Sequence, residues 1–381
     1  MRRKNTLKLV LTLASAQLLI VTGAFALTDQ EQLGKNLFFD TNLSLNGNQS
    51  CATCHAPEVG WTGPSETINA HGAVYEGSIP DAFGDRKPPA AAYAGDSPEL
   101  YYDNDADAWV GGMFWDGRAT GWTLGDPLAE QAQGPFLNPK EQALKLPVDV
   151  VSKVQFSDYA VLFEAQCPGS DTDALYDCIG RAIAAYERSS EVSPFTSKFD
   201  YWLKGEAKLT AEENKGRQLF QGKAKCSACH IMEGDKPLFT DFTYDNLGFP
   251  KNLENPATNA DLTWADPGLG GFLQSAGYAV EVSAVEMGKH KVPTLRNVDL
   301  RSSKRFVKAY GHNGYFKSLK EIVHFYNTRD VLGAGWKGVP WPGPEVAENV
   351  NTTEMGDLGL SDREEDEIVA FLKTLSDGYQ P

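Results

Sequence analysis

The sequence predicts a mainly α-helical protein of two tandem domains with long irregular loops. A Cys-x-x-Cys-His pentapeptide occurs at residues 51–55 and again at 226–230. A helix-start pattern precedes each pentapeptide, and an amphipathic helical pattern closes each half of the chain. Between these patterns, stretches such as 57–98 are rich in glycine and proline and have no clear period, which favours loops.

Each pentapeptide offers two thiols for thioether bonds to a porphyrin and one imidazole for its iron. These residues are Cys51, Cys54 and His55 in the first copy, and Cys226, Cys229 and His230 in the second. A lone Cys-x-x-Cys would fit a zinc site or a redox dithiol as well. The histidine that follows directly in both copies favours haem. We therefore expect two covalently bound haem c groups, with His55 and His230 as proximal ligands.

Residues 1–26 are predicted to be a cleavable secretory signal peptide. Four basic residues lie within positions 2–8, positions 9–21 form the apolar core, and Ala24-Phe25-Ala26 is a small-x-small cleavage site. Export suits haem attachment outside the cytoplasm, so we expect a periplasmic protein. No later stretch approaches the roughly 18 uninterrupted apolar residues that a membrane span needs. We therefore expect no membrane span.

The chain is acidic, with a formal net charge of −16 at pH 7. Loss of the four basic residues of the signal peptide would make it more negative still. Such a surface disfavours nucleic acid and could steer a partner protein that carries a basic patch. It serves equally well as a solvated surface without a partner.

The segments ahead of the two pentapeptides repeat in register. Thr28-x-x-Glu31 and Thr210-x-x-Glu213 are capping boxes, in which the two side chains satisfy free backbone N–H groups at a helix start. Three residues after each glutamate come glycine, a basic residue, an amide, leucine and phenylalanine. Each segment therefore predicts a short helix that leads into a haem site.

An amphipathic helix is predicted to close each half. The first runs over about 172–186, and the second follows the capping box Ser361-x-x-Glu364. A haem motif between an N-terminal helix and a C-terminal helix packed across it resembles the cytochrome c fold. The boundary falls in the polar stretch around Pro194.

Cys167 and Cys178 remain after haem attachment. A disulfide between them suits an oxidising compartment. Cys178, however, shares a helical face with apolar residues, so a buried thiol is the alternative.

Five segments resemble the bacterial di-haem cytochrome c peroxidase and MauG family in order along the chain. They are 33–40 (LGKNLFFD), 114–118 (FWDGR), 134–141 (GPFLNPKE), 293–297 (PTLRN) and 310–314 (YGHNG). The resemblance implies that the first haem reacts with hydrogen peroxide and the second transfers electrons. The predicted domains are a signal peptide (1–26), an N-terminal peroxidatic haem c domain (27–190), a linker (191–208) and a C-terminal electron-transfer haem c domain (209–381).

The resemblance also assigns roles near the first haem. Glu141 takes the position of the distal carboxylate that moves a proton between the peroxide oxygens. Pro135 and Gln131 match residues of the same pocket. Trp115 matches the tryptophan between the two haems. Without the resemblance, Glu141 would be one more solvated carboxylate and Trp115 an ordinary core residue.

The distal ligand of the second haem separates two branches of the family. Tyr326 lies in a predicted helix that begins with a capping box at Ser318-x-x-Glu321, on the same face as the apolar residues. The resemblance aligns Tyr326 with the ligating Met of the peroxidases, and a Tyr there is typical of the MauG-like branch. An ordinary half-buried aromatic is the alternative role for Tyr326. Met287 remains a rival ligand.

His71 has two alternative roles, and each predicts a different resting state of the first haem. It lies in a segment that resembles the one from which the peroxidases supply a removable distal histidine. If His71 ligates the iron, the site is closed until the second haem is reduced. If His71 is an ordinary loop residue, the site is open, as in MauG.

The family often binds calcium between its domains. Lys87 stands where the resemblance places an asparagine ligand, and the stretch near 307–309 also departs from the pattern. An ammonium group in place of an oxygen ligand argues against the usual calcium site.

The resemblance favours a periplasmic di-haem c enzyme that uses hydrogen peroxide to form high-valent haem iron and oxidise a partner protein, as MauG does. A cytochrome c peroxidase that takes electrons from a small cytochrome or cupredoxin is the second interpretation. A non-enzymatic di-haem electron carrier is the third.

Overall fold

The computed structural model of the protein describes residues 26–381, which are mainly helical with a few short strands. The predicted signal peptide lies outside the described residues except for its last position. None of the helices over 26–381 is both long and apolar enough to cross a bilayer.

Fourteen α-helices and three antiparallel two-stranded ribbons form the described part of the chain. The helices are α1 (Asp29–Phe39), α2 (Cys51–Cys54), α3 (Glu66–Ala70), α4 (Pro127–Leu137), α5 (Pro147–Gln155), α6 (Ala160–Gln166), α7 (Thr172–Arg188), α8 (Lys198–Leu203), α9 (Ala211–Gln221), α10 (Pro256–Ala260), α11 (Gly268–Ser275), α12 (Val280–Ala284), α13 (Leu319–Thr328) and α14 (Asp362–Lys373). The ribbons pair β1 (Tyr101–Asp103) with β2 (Ala108–Val110), β3 (Tyr244–Asp245) with β4 (His290–Lys291), and β5 (Gly335–Trp336) with β6 (Val339–Pro340).

The predicted capping boxes are present at the starts of α1, α9 and α14. The predicted capping box at α13 is wrong. Ser318 does accept a hydrogen bond from the Glu321 N–H, but the Glu321 carboxylate accepts its own from the N–H of Lys317, at 2.7 Å. The carboxylate therefore accepts from the backbone N–H of Lys317, the residue before the cap, and not from the N–H of Ser318, the cap itself.

The N-terminal and C-terminal helices of each half cross at a glycine. A Cβ on Gly34 of α1 would lie 1.9 Å from the carbonyl oxygen of Ala182 in α7, and a Cβ on Gly216 of α9 would lie 1.8 Å from that of Glu367 in α14. Both distances are far below a van der Waals contact. We call Gly34 and Gly216 the crossing glycines, because the absence of a side chain lets each helix pair approach this closely.

Two large apolar clusters surround the two pentapeptides. The first draws its buried residues from 33–192, with Cys51 packed against it, and the second draws them from 199–375, with Cys226 packed against it. The predicted linker contains α8, whose Phe199 belongs to the second cluster. The division into domains itself stays a prediction.

Cys167, at the end of α6, and Cys178, in α7, are joined by a disulfide bond. Of the two alternatives that the sequence left open, the structure has the disulfide.

Polar contacts join the two halves around the segment 111–118. The Tyr244 hydroxyl donates to the carbonyl of Gly111 at 2.6 Å. Arg86 forms ion pairs of 2.6 Å with Asp116 on one side and with Asp266 on the other. These contacts tie the segment that contains the Phe-Trp-Asp-Gly-Arg turn to residues of the second half.

Candidate functional site: two haem sites and the turn between them

The histidines of the two pentapeptides make the same kind of hydrogen bond. Nδ1 of His55 lies 3.3 Å from the carbonyl oxygen of Trp61, and Nδ1 of His230 lies 2.8 Å from that of Phe239. Because a carbonyl oxygen only accepts, each Nδ1 carries the proton, and each Nε2 keeps a free lone pair. Burial lowers the pKa of both imidazoles, that of His55 to about 4. Neutral rings with a free Nε2 are what iron ligation requires.

A cavity lies beside the second pentapeptide. It is lined by Cys226, Cys229 and His230 and by mainly apolar residues that include Leu319, Ile322, Val323, Met355, Ile368 and Leu372. An apolar cavity with two thiols and a neutral imidazole on its wall fits a covalently held haem. The same cavity continues to Trp115, Lys87 and Lys308.

Tyr326 lines this cavity together with His230. Among residues 26–381, no hydrogen-bond partner of the Tyr326 hydroxyl is found. Burial raises the pKa of the phenol, and the nearby Cys226 and Cys229 raise it further. The Tyr326 side chain is half-buried on the cavity wall, so its hydroxyl is available to a group bound in the cavity.

The methionine on the cavity wall is not the one that the sequence suggested. Met287 is not among the residues that line the cavity, and its backbone packs against Gly270 of α11. Met355, which sequence reasoning missed, does line the cavity and is buried. Nothing in the pattern around Met355 marks it, because its position depends on how the loop ahead of α14 folds back.

Glu141 lies near the first pentapeptide. Its carboxylate is close enough to raise the pKa of both Cys51 and Cys54. The Asn138 side chain donates a 2.6 Å hydrogen bond to Oε1 of Glu141. Burial raises the pKa of Glu141, and the positive charge of Arg118 opposes that rise. A buried carboxyl group with a raised pKa is suited to accepting and releasing a proton.

Pro135 and Gln131 belong to α4, the helix that ends just before Glu141. The carbonyl of Pro135 accepts from the N–H of Gln142 at 3.1 Å, which ties the helix end to the Glu141 loop. Gln131 lies one turn earlier and is half-buried. The guanidinium of Arg118 lies 3.8 Å from the centre of the Phe114 ring, and Phe114 also approaches Gly134 in α4.

Trp115 is buried and lines the cavity beside the second pentapeptide. Its indole N–H donates to the carbonyl oxygen of Lys87 at 2.9 Å, and its own carbonyl accepts from the N–H of Lys291 at 2.9 Å. Asp116, the next residue, pairs with both Arg86 and Arg118. The turn is therefore held from both sides, with the indole ring on the wall of the cavity.

His71 lies at the surface. It ends α3, its side chain is 65 % exposed, and Nδ1 lies 3.3 Å from the Glu254 carboxylate. Its carbonyl accepts from the ammonium group of Lys317. In this structure, His71 therefore contacts the second half of the chain through surface groups.

Calcium does not fit the residues at the family's usual position. The buried ammonium group of Lys87 donates to Thr62 Oγ1 at 3.0 Å and to the carbonyl of Pro88 at 2.8 Å. The buried ammonium group of Lys308 donates to the carbonyls of Asn297 and Leu300 at 2.7 and 3.2 Å. Oxygen atoms at this position thus already accept hydrogen bonds from two lysine side chains, which take the place of a metal ion.

Comparison with known proteins decides the family. A sequence profile described as di-haem cytochrome c peroxidase matches residues 28–208. The methylamine utilization protein MauG of Paracoccus denitrificans is 37% identical over 364 residues, which cover 92% of this chain and 89% of that protein. The chain belongs to the di-haem cytochrome c peroxidase and MauG family. It is therefore a haem-dependent oxidoreductase that uses peroxide.

Other members of the family are similar over the same extent. The cytochrome c551 peroxidase of Nitrosomonas europaea is 31% identical over 93% of this chain and 81% of its own length. The crystal structure of the diheme peroxidase BthA from Burkholderia thailandensis matches with a TM-score of 0.77 and 30% identity over 91% of this chain and 86% of that one. A MauG-like protein associated with microbial copper homeostasis matches with a TM-score of 0.65 and 25% identity, covering 92% of this chain and 91% of that one. The mainly helical fold of this family is the one the sequence predicts.

Proposed function

We propose that the protein is a periplasmic di-haem c enzyme of the MauG type, in which hydrogen peroxide withdraws electrons from both haems and a partner protein returns them. The observation that carries the proposal is Tyr326, whose hydroxyl lines the same cavity as His230 and has no partner among the described residues. An anionic phenolate stabilises ferric and higher oxidation states of iron, whereas a thioether favours ferrous iron. A second haem with this ligand suits sharing an oxidising equivalent.

The haems supply the redox chemistry, and the residues of the chain supply proton transfer and positioning. Cys51 and Cys54 would hold the first haem, with His55 as its iron ligand. Cys226 and Cys229 would hold the second, with His230 and Tyr326 as its iron ligands. Glu141 would act as the acid and base that moves a proton between the two oxygens of peroxide. Asn138 orients the Glu141 carboxylate through its 2.6 Å hydrogen bond.

Trp115 stands between the two sites. Its buried indole shortens the electron path between the haems, and its hydrogen bond to Lys87 holds the ring in one orientation. Pro135 and Gln131 shape the peroxide side of the first pocket through α4. The exposed position of His71 supports a first haem that is open without prior reduction.

The partner is a protein that donates electrons at the surface. The net charge of −16 supports a partner with a basic patch, because opposite charge raises the rate of encounter.

The test is to mix the fully ferric protein with one equivalent of hydrogen peroxide and follow both haem spectra by stopped flow. The proposal predicts fast changes at both haems without prior reduction. A reaction that begins only after the second haem is reduced would instead support a cytochrome c peroxidase, and no reaction in either state would support an electron carrier.

Glu141→Gln tests the acid/base role in the same assay. It keeps the size of the side chain and removes the titrating group, so we expect the rate with peroxide to fall by about 100-fold or more. Glu58→Gln is the matched control, since Glu58 is an exposed carboxylate three residues after His55. An unchanged rate in Glu141→Gln would contradict the assignment.

A further inference from the structure

The crossing helices align the two halves residue by residue. The Cβ of Tyr186 lies 2.8 Å from the Cβ position of the first crossing glycine, and the Cβ of Phe371 lies 3.0 Å from that of the second. Tyr186 in α7 and Phe371 in α14 are therefore equivalent. The residues that follow them, Glu187 and Leu372, are equivalent as well.

Leu372 shows what this position faces. It is 5 % exposed and lines the cavity beside His230. By the equivalence of the halves, Glu187, which is 4 % exposed, faces the first haem. An independent observation agrees, since the Glu187 carboxylate is close enough to raise the pKa of the Cys51 thiol, an effect second only to burial. A carboxyl group thus takes the place at the first haem that an aliphatic side chain takes at the second.

Glu187 also differs from the other buried carboxylates. Over residues 26–381, each of the others forms an ion pair; these are Asp116, Asp200, Asp266, Glu286, Glu365 and Glu367. Glu187 has none within the same range, and no side chain there donates to its carboxylate. The cation beside it, Arg188, is taken up by two 2.8 Å hydrogen bonds to Asp126. An unpaired charge in such a place is costly, so the group is held neutral until something favours its ionisation.

We propose that Glu187 couples one proton to the oxidation of the first haem. When the iron passes from ferrous to ferric, one electron leaves for the oxidant and the haem gains one positive charge. That charge favours the ionised carboxylate, so Glu187 releases one proton to solvent; on reduction, it takes the proton back. Glu187 thus acts through the effect of its charge on the haem and does not contact the peroxide.

The charged and titratable groups around Glu187 set the range of pH. Arg188 lowers its pKa, Asp126 raises it, and burial raises it most, to about 8. Tyr186 and Cys51 face the same carboxylate, and the pKa of each is raised by it. The pKa of Glu187 is higher beside the ferrous haem than beside the ferric haem. The reduction potential of the first haem therefore falls with rising pH between these two pKa values.

The experiment is a potentiometric titration of the first haem in the loaded protein between about pH 6 and 10. The inference rests on the haem at the first pentapeptide that the proposed function requires. A haem count on the same sample and the use of redox mediators in place of peroxide separate a failure of this inference from a failure of that function.

We compare the wild type with Glu187→Gln and Glu187→Leu, the second of which copies the residue that the other half carries. In the wild type, the potential of the first haem should fall as pH rises through this range. In both variants this slope should be lost, and the potential at the alkaline end should lie above that of the wild type. Glu367→Gln, in which a buried, ion-paired glutamate of α14 is neutralised, should keep the slope of the wild type.

If a Glu187 variant that carries two haems shows the slope and potentials of the wild type, Glu187 has only a packing role and the inference is overturned. Glu187→Leu keeps the test decisive if Glu187→Gln fails to fold, because leucine is already accommodated at the equivalent position.

Discussion

The indole N–H of Trp115 donates a 2.9 Å hydrogen bond to the carbonyl oxygen of Lys87, whose ammonium group is itself buried against Thr62 and Pro88. The ring on the cavity wall is therefore fixed by the backbone of a residue whose side chain is anchored in the first half of the chain. This arrangement holds an oxidisable ring in a single orientation on the wall of the cavity that His230 also lines.

Trp115→Phe should slow electron transfer between the haems and lower the stability of the fold only slightly. The loss of one buried hydrogen bond costs about 1 kcal/mol, whereas the electron path loses its indole. After peroxide is added, the change at the second haem should lag behind that at the first, as measured by stopped flow. Trp122→Phe is the matched control, because Trp122 also donates to a carbonyl, that of Leu100, at 2.7 Å. An equal lag in both variants would contradict a specific role for Trp115.

Tyr326→Phe should change the spectrum of the second haem and raise its potential. The variant keeps the ring but removes the oxygen that we assign to the iron, and with it an anionic ligand. Met355→Leu is the companion variant, since Met355 lines the same cavity. If Met355→Leu alters the spectrum of the second haem and Tyr326→Phe does not, the ligand is the Met355 thioether. That result would support the cytochrome c peroxidase interpretation.

Chelation should leave the protein unchanged. Because Lys87 and Lys308 already direct their ammonium groups at the oxygen atoms of this region, we expect excess EDTA to alter neither haem spectrum nor the rate with peroxide. Added calcium should likewise have no effect. A loss of activity with EDTA that calcium alone restores would contradict this assignment.

The sequence predicted features that depend on neighbouring residues and missed those that depend on the tertiary fold. The pentapeptides and the capping boxes at Thr28, Thr210 and Ser361 are local, so their chemistry could be inferred from spacing. At Ser318 the same spacing misled, because the backbone before the cap competed for the carboxylate. Such competition depends on the path of the incoming chain.

The buried charges could not be predicted in this way. Lys308 is far from Lys87 in sequence, and only the fold brings both to one cavity. Glu187 lies just beyond the predicted helix of about 172–186, and only the crossing with α1 indicates which way it faces. The repeat of the two halves contained that signal, since the crossing glycines were already in register in the sequence.

The stability of Glu187 variants should depend on pH. With a folded pKa raised to about 8 from its ordinary value of 4.5, Glu187 keeps its proton in the folded state where the unfolded chain has lost it. Stability from this group is present below about pH 4.5 and is lost as pH rises through about 8. Glu187→Leu should therefore stabilise the protein more at pH 9 than at pH 5, as measured by guanidinium unfolding. An equal effect at the two pH values would show that folding does not raise the pKa of this carboxyl group.

Alanine at either crossing glycine should destabilise its own half. In Gly216→Ala, the new Cβ would lie 1.8 Å from the Glu367 carbonyl, and α9 and α14 would have to move apart. Overpacking of this kind costs about 1–3 kcal/mol or more, which thermal unfolding followed at the second haem would detect. Gly34→Ala should act in the same way on the first half. Gly343→Ala is the control, since nothing lies within 4 Å of its Cβ position. An unchanged midpoint in both crossing variants would mean that the helices do not approach as closely as described, and the equivalence of Glu187 and Leu372 would lose its basis.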